Sequence, residues 1–503
     1  MRRILLAAFT YSISLAVWAQ SPLGTVTGLA TDPSGAVIPD VKVTLISTAT
    51  GVKREVATNT SGVYVIPNIQ PGQYKIFAEA KGFKALETTA FPVEAYRTVR
   101  QDLKLEVAAA TTEVTVSEPA SAVIQVESPS INASLSTKQI LELPSNLRSV
   151  YNNAGDSGLL AIIAPLTLPG VIQVGAGATW TSPGGTGNAF KTKVDGIDTT
   201  FGNFGSPDVV SQPSMESLQE FTANILTNRA EFSGMAVITS VTRGGGNQYH
   251  GNIFWYARNT ALDARNTFAT TKPFQNIHNF GGTFSGPVFK DKTFFMLTLD
   301  MIKGVRGYSG APNVPTVAWR NGDFTGLPPL RNPFGDINPF NGNVILPQYI
   351  SPQAKKIQEL LFPLPNFGPP TLTTGNYRWS ASGAEIHGIG EVRLDHNFTS
   401  GHSVFGRYQS KVTDYNIPGV RTDMPPSSVG TSNNVRTVNF GTVGDTYAIR
   451  PNVYNEFRAG IVVLSSKSTS NIKGQDLIDA IGIRGLSPRP GINGVPNINI
   501  TGL

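Results

Sequence analysis

From Tyr249 onward the chain is a series of long alternating segments separated by turn and loop text, and this periodicity limits its possible folds more than any other feature. Candidate strands lie near 249–258, 278–287, 292–303, 388–398, 402–413, 436–449 and 452–465. In EVRLDHNF, Val392 and Leu394 face one side while Arg393, Asp395 and Asn397 face the other. In NVYNEFRAGIVV, Val453, Phe457, Ala459 and Ile461 oppose Glu456 and Arg458. Charge on one face and aliphatics on the other suit a wall with lipid outside and a wet lumen inside. A soluble antiparallel sheet with one wet face alternates in the same way. Trp255, Tyr256, Phe294 and Phe295 fit an aromatic girdle at a bilayer interface, or ordinary core packing. Long Pro-, Gly- and Asn-rich stretches, notably 304–385, give the loop asymmetry of a membrane barrel.

Composition agrees with strands and turns. Charged residues are 15%, with 51 Gly and 35 Pro among 503 residues. Cysteine is absent, which removes disulfides, thiolate nucleophiles and Cys zinc sites. No cluster of five or more Lys/Arg exists, so nucleic-acid binding has no electrostatic footprint. Residues 1–19 read as a secretory signal: Arg2 and Arg3, an apolar run from Ile4 to Trp18, and cleavage after Ala19. No later apolar run reaches the length of a membrane helix, since Leu159 to Ile172 is broken by Pro165 and Pro169. Barrel strands need only about ten residues each.

Ahead of the alternating segments lie two further regions. Residues 23–106 give short strands between turn signals at Asp32 to Gly35, Asn59 to Gly62 and Gln70 to Gly72, with Val41, Val43 and Leu45 on one face. The text Thr31-Asp32, Gly35, Val41, Val43, then Asn59 to Tyr64, then Ile69 to Tyr74 resembles the carboxypeptidase regulatory-like domain, with Asp40 in place of a usual small residue. That resemblance implies a transthyretin-like or starch-binding-like β-sandwich that is not catalytic. Residues 107–120 form a small-residue linker holding the β-prone stretch Glu113-Val114-Thr115-Val116-Ser117. Residues 121–245 mix short strands with a helix around Thr137 to Leu147. Their Pro169-Gly170-Val171, Val194-Asp195-Gly196 and Thr242-Arg243-Gly244-Gly245 resemble the α+β plug of TonB-dependent outer-membrane receptors.

Over nearly all of the mature chain the resemblance is closest to Oar-like TonB-dependent receptors. Its markers include Ala230-Glu231-Phe232, Asn247 to Gly251, Leu262 to Asn266, Ser285-Gly286-Pro287, Asp291 to Phe295 and Arg393 to His396. It implies a mainly β chain: sandwich, plug, and a partial transmembrane antiparallel β-barrel over 246–503. Arg243, Gly244, Gly245 and Gly246 would form the turn joining plug to barrel. Such barrels close about 22 strands, about seven are legible here, and the text stops at INITGL; an N-terminal part of a longer barrel is therefore expected.

The resemblance further implies a receptor or transporter in the cell outer membrane, gated by its plug and energised by a periplasmic TonB-type protein. Its partners would be that protein, outer-membrane lipid and an unidentified extracellular ligand: a siderophore, oligosaccharide or peptide. Residues 113–117 are then the candidate TonB box, an extended segment that pairs with a partner's sheet edge; the plainer reading is a last sandwich strand or first plug strand. The alternative function is a cell-surface carbohydrate- or protein-binding or assembly protein without transport. No catalytic, metal or cofactor site is expected. His387 and Glu391 have the spacing of a helical metal site, but their surroundings alternate as a strand, which separates them by roughly 13 Å.

Overall fold

The computed structural model describes residues 22–108, 115–117, 131–142, 172–173, 180–181, 190–200, 211–225, 236–265, 272, 274–330, 341–419, 432–450, 453–469 and 474–485. The expected signal segment 1–19, Glu113, Val114 and Pro169-Gly170-Val171 lie outside the described residues.

The first unit is a sandwich. One sheet joins β1 (Gly24–Thr31), β4 (Val63–Ile69), β8 (Thr98–Arg100) and β9 (Leu103–Lys104). The other joins β2 (Lys42–Ser47), β3 (Lys53–Ala57), β5 (Gly72–Glu79), β6 (Leu86–Thr88), β7 (Phe91–Val93) and β10 (Thr115–Ser117). Between them Val26, Val41, Val43, Leu45, Ile66, Ile76 and Leu103 are buried in one apolar core, each contributing about 1.5–3 kcal/mol. Tyr64 joins this core and donates its hydroxyl to the Gln101 carbonyl at 2.6 Å, so the one polar atom it carries inward is satisfied. The turn signals act as their chemistry requires. Asp32 Oδ1 accepts from the Ser34 and Ala36 amides, both at 2.9 Å, and Asn59 Oδ1 accepts from the Ser61 and Val63 amides.

The second unit is a middle sheet with strand order β11 (Ile131–Ser136), β16 (Leu218–Ile225), β17 (Ala236–Thr242), β14 (Phe190–Val194) and β15 (Ile197–Asp198). A short helix, α1 (Thr137–Glu142), follows β11. A separate two-stranded ribbon pairs β12 (Ile172–Gln173) with β13 (Trp180–Thr181).

The third unit is a wall of seven antiparallel strands in chain order: β18 (His250–Asn259), β19 (Gln275–Phe289), β20 (Thr293–Gly310), β21 (Trp379–Thr399), β22 (His402–Ile417), β23 (Ser432–Arg450) and β24 (Val453–Thr469). Among the described residues the sheet is not closed. All seven expected strands are present, but most run longer than the alternation suggested. Residues 304–310 and 379–385, expected as loop, pair as Gly310↔Trp379 through Glu385↔Gly304. Gly, Ser and Ala in GVRGYSG and WSASGAE hide the period there. At 21 residues β21 exceeds the roughly 9–11 that a tilted strand needs to cross a bilayer, and the surplus lies at the long-loop end.

The facing of the wall distinguishes membrane from soluble sheet. On β21 Arg393 is 8% exposed and Leu394 51%; on β24 Arg458 is 9% and Phe457 50%. Charges face the buried side and aliphatics face out, the reverse of a soluble sheet. Trp255 and Tyr256 are exposed as a girdle requires, but Phe294 is fully buried against the junction and is not a girdle residue.

Between β20 and β21 the expected loop is folded. Thr316 caps α2 (Val317–Arg320) through the Trp319 amide, and Arg320 donates to the Gln358, Phe362 and Pro363 carbonyls at the end of α3 (Pro352–Leu361). Leu361 packs on Ile481 of α4 (Gly474–Ile481). Asn376 is fully buried and binds both the amide and the carbonyl of Val314 at 2.8 Å.

Candidate functional site: the polar contact between middle sheet and wall

The hairpin β14–β15 carries its turn into the wall. Its two central residues, Asp195 and Gly196, both have positive φ, 50° and 89°, the backbone that a two-residue hairpin favours and that Asp and Gly tolerate. This places Asp195 at the tip, 1% exposed. Its carboxylate accepts from the Thr242 amide at 2.8 Å and from the Thr242 hydroxyl at 2.9 and 3.0 Å.

Three arginines from three wall strands converge there. Arg393 Nη1 stands 3.7 Å from Asp195 Oδ1 and Arg407 Nε 3.9 Å from Oδ2. Arg458 Nη1 donates to the Asp195 carbonyl at 2.7 Å. Arg393 also donates to the Thr242 carbonyl at 2.9 Å and to Asp395 at 2.8 Å. Phe405 lies beneath two of these cations, 4.4 Å from Arg393 and 5.2 Å from Arg458. Gly444 makes room for that ring, since a Cβ there would sit 2.2 Å from it.

A second row of contacts runs from the segment before β16. The Ser214 amide donates to Glu391 at 3.1 Å, and the Ser214 hydroxyl to Asp300 at 2.7 Å. Gln409 donates to the Gln212 carbonyl, Arg407 to Glu391 at 3.0 Å, and Asn252 to Glu216 at 2.8 Å. Glu391 Oε2 and Arg407 Nη1 are buried without a hydrogen-bond partner among the described residues. The contact is thus a charged, incompletely satisfied layer, which water can replace more readily than it can enter an apolar core.

The junction residues lie beside this layer. The Arg243 amide donates to the Ser217 carbonyl at 2.7 Å and its guanidinium to the Glu216 carbonyl at 3.1 Å. Gly244, Gly245 and Gly246 do not form the expected turn; all three have ordinary φ. They permit close approach. A Cβ on Gly244 would meet Asp395 at 2.7 Å, on Gly245 the Phe295 carbonyl at 2.5 Å, and on Gly246 the Ala49 carbonyl at 2.9 Å. The sandwich closes over this end of the wall, the end with the short turns. Asn247 donates to the Thr50 carbonyl at 2.7 Å and to Asp291 at 2.7 Å.

Sandwich and middle sheet meet at one buried carboxylate. Glu220 on β16 accepts from the Ala95 amide at 2.9 Å and from the Thr222 hydroxyl at 2.7 Å. Burial pushes its carboxyl up to about 7, and those two hydrogen bonds oppose the rise.

Of the stretch 113–117, Thr115 to Ser117 form β10, paired in parallel with β6. His387 and Glu391 do not share a site: His387 lies 3.7 Å from Glu385, while Glu391 pairs with Arg407. Asp195 was visible in the sequence only as part of the plug-like text Val194-Asp195-Gly196, and Arg407 carried no signal of its own.

Residues 241–503 match the family described as outer membrane beta barrel domain, and residues 25–106 match the carboxypeptidase regulatory-like domain. The TonB-dependent transporter Oar of Myxococcus xanthus is 28% identical over 273 residues, covering 51% of this chain and 24% of its own length. The chain therefore spans about a quarter of that relative. Among solved structures, the Bacillus anthracis TIE protein aligns at 16% identity over 17% of each chain, with a TM-score of 0.15. Catechol 1,2 dioxygenase of Acinetobacter radioresistens aligns at 15% over 20% of this chain and 57% of its own, at 0.16. Scores that low carry no argument.

Proposed function

Because this chain belongs to the outer membrane beta barrel domain family, in the Oar-like form with a carboxypeptidase regulatory-like domain ahead of the wall, we propose that it is a TonB-dependent outer-membrane receptor whose middle sheet is the plug. Residues 1–19 direct export, 107–120 link sandwich to plug, 121–245 are the plug and 246–503 contribute wall. The short-turn end carrying the sandwich faces the periplasm. Residues 113–117 are the segment that a TonB-type protein engages, and the folded layer over 311–330 and 341–378 contributes to recognition of an external ligand. Arg243 to Gly246 are the plug-to-wall passage, narrow enough that a Cβ on Gly245 would run into the β20 backbone.

The observation that carries this reading is the seating of the Asp195 turn on Arg393, Arg407 and Arg458. A plug has to be held firmly and still be movable. A buried polar layer meets both needs, since most of its polar atoms are partnered when seated and all regain water when withdrawn. The test is a deletion strain complemented with the wild-type gene and assayed for energised uptake of siderophores, oligosaccharides and peptides. Uptake of at least one class, abolished by loss of the TonB-type protein, is expected. Surface binding of a ligand with no uptake of any class would instead support a cell-surface binding protein.

A further inference from the structure

Where the sandwich closes over the wall, the two enclose a cavity of about 240 Å³. Arg54, Gln70 and Tyr74 line it from the sandwich, and Gln219 and Gly245 from the middle sheet and the segment after it. The wall contributes Asn397, Ser403 and Thr446. These three stand abreast across β21, β22 and β23, one amide beside two hydroxyls.

Arg54 is a cation without a counter-charge. It stands opposite Leu45 on β3, the edge strand of its sheet, and on the same side as Val56, which packs on the sandwich core. A guanidinium therefore ends an apolar face, half-buried. Burial holds it below its usual pKa, with the Tyr454 and Tyr74 phenols opposing that shift, and arginine stays charged throughout. Among the described residues it makes no hydrogen bond or ion pair. The carboxylates beside the cavity are already taken. Asp395 is held by Arg393 at 2.8 Å, and Glu456, abreast of Thr446 on β24, by Arg458 at 2.7 Å. The side-chain amides of Asn68, Gln70 and Asn397 are half-buried at the same cavity and likewise make no hydrogen bond among the described residues.

We propose that this cavity binds a small hydroxylated carboxylate, its carboxylate received by Arg54 and its hydroxyls shared between the sandwich amides and the wall row. The ligand then bridges sandwich and wall. Three features select this chemistry. A single guanidinium matches a single negative charge, and its planar fork matches the two oxygens of a carboxylate. Phosphate, with more charge, calls for a second cation. Amides and hydroxyls both donate and accept, which suits ligand hydroxyls. The Tyr74 hydroxyl is already donated to the Gln70 carbonyl at 2.8 Å, so that ring offers an apolar face. The volume lies below the roughly 300–1,000 Å³ of pockets for drug-sized ligands, which limits the occupant to about one sugar ring.

The test titrates the full chain in detergent by calorimetry with D-glucuronate, with D-glucose (no charge), with propionate (no hydroxyls) and with inorganic phosphate. Glucuronate should bind about tenfold or more tightly than each of the other three. Arg54→Gln should weaken glucuronate by about tenfold or more and leave glucose unchanged, since only the charged hydrogen bonds are lost. Asn397→Asp keeps the side chain's shape and sets a negative charge on the wall side; it should also weaken glucuronate by about tenfold or more. Absence of glucuronate binding, or glucose bound equally well, would overturn the proposal. Tighter binding of phosphate would overturn the ligand class. Full affinity in Arg54→Gln would remove Arg54 from the site, and full affinity in Asn397→Asp would remove the bridge to the wall. Should Arg54→Gln fail to fold, Asn397→Asp on the other unit still decides.

Discussion

The sandwich core and the seat of the middle sheet are both buried, and they are built from opposite materials. In the sandwich, Val26, Val41, Val43, Leu45 and Ile76 are fully buried and apolar. At the seat, Asp195, Glu216, Glu391, Arg393, Arg407 and Gln409 are buried and polar or charged. An apolar core gains from every ångström removed from water and resists being opened. A charged layer gains less on closing, because each ion must first be desolvated. It instead demands specific partners, and losing one of them is expensive. The sandwich is therefore the anchor in this molecule, and the seat is a keyed contact that tolerates being undone as a whole but not being damaged in part.

The largest test of that contrast is Asp195→Ala. It leaves Arg393 and Arg407 facing each other across an empty position and removes the acceptor that orients Thr242. Breaking a buried charge cluster on one side costs about 3–5 kcal/mol. Hydrogen exchange should show the amides of β14 and β17 losing roughly two to three orders of magnitude of protection, while sandwich amides keep theirs. Asp195→Asn retains an acceptor for the Thr242 amide and should cost less. Equal losses in both variants would mean that packing rather than charge seats the turn.

Leu45→Ala probes the other side. Leu45 is fully buried in the sandwich, and such truncations cost about 2–5 kcal/mol according to how far the site collapses. The loss should appear as faster exchange across β1, β2 and β5. Protection of β14 and β17 should not change, since the seat shares no core residue with the sandwich. Loss of protection in both regions would show that the two units unfold together and would weaken the contrast.

The sequence made some of this visible and hid the rest for physical reasons. Facing was legible because it is a local, period-two property: Arg393 against Leu394, and Arg458 against Phe457, follow from alternation alone. The sandwich face of Val41, Val43 and Leu45 was legible in the same way. The role of Asp195 was not, because its partners lie on strands far along the chain, Arg458 at a separation of 263 residues. Gly244 to Gly246 suggested a turn because glycine serves turns and close contacts equally; only the approach of Asp395, β20 and Ala49 decides between them. The pairing of β10 was similarly hidden. A β-prone stretch announces that it will be extended, not which sheet it will join.

Where the two regions touch, the contrast has a pH dependence. Glu220 belongs to the polar middle sheet but accepts from the amide of Ala95, a fully buried residue of the sandwich unit. The loop that carries Ala95 also carries Glu94 and Arg97, which are paired with each other; Glu94 adds to the rise in the Glu220 carboxyl and Arg97 opposes it. Burial raises this carboxyl from an ordinary 4.5 to about 7, so the folded protein binds its proton more tightly than the unfolded chain. The sign follows directly. The contribution is fully present below about pH 4.5 and is lost as the pH rises through about 7, by up to about 3 kcal/mol in total. The Ala95 amide, with exchange rates corrected for the intrinsic effect of pH, should lose protection over that interval. Glu220→Gln has no proton to release, so its protection should stay level from about pH 5 to 8, the range in which a carboxyl raised this far titrates. A wild-type amide that is equally protected across that range would mean that the two hydrogen bonds to Glu220 outweigh its burial, and that the joint between sandwich and middle sheet does not respond to protons.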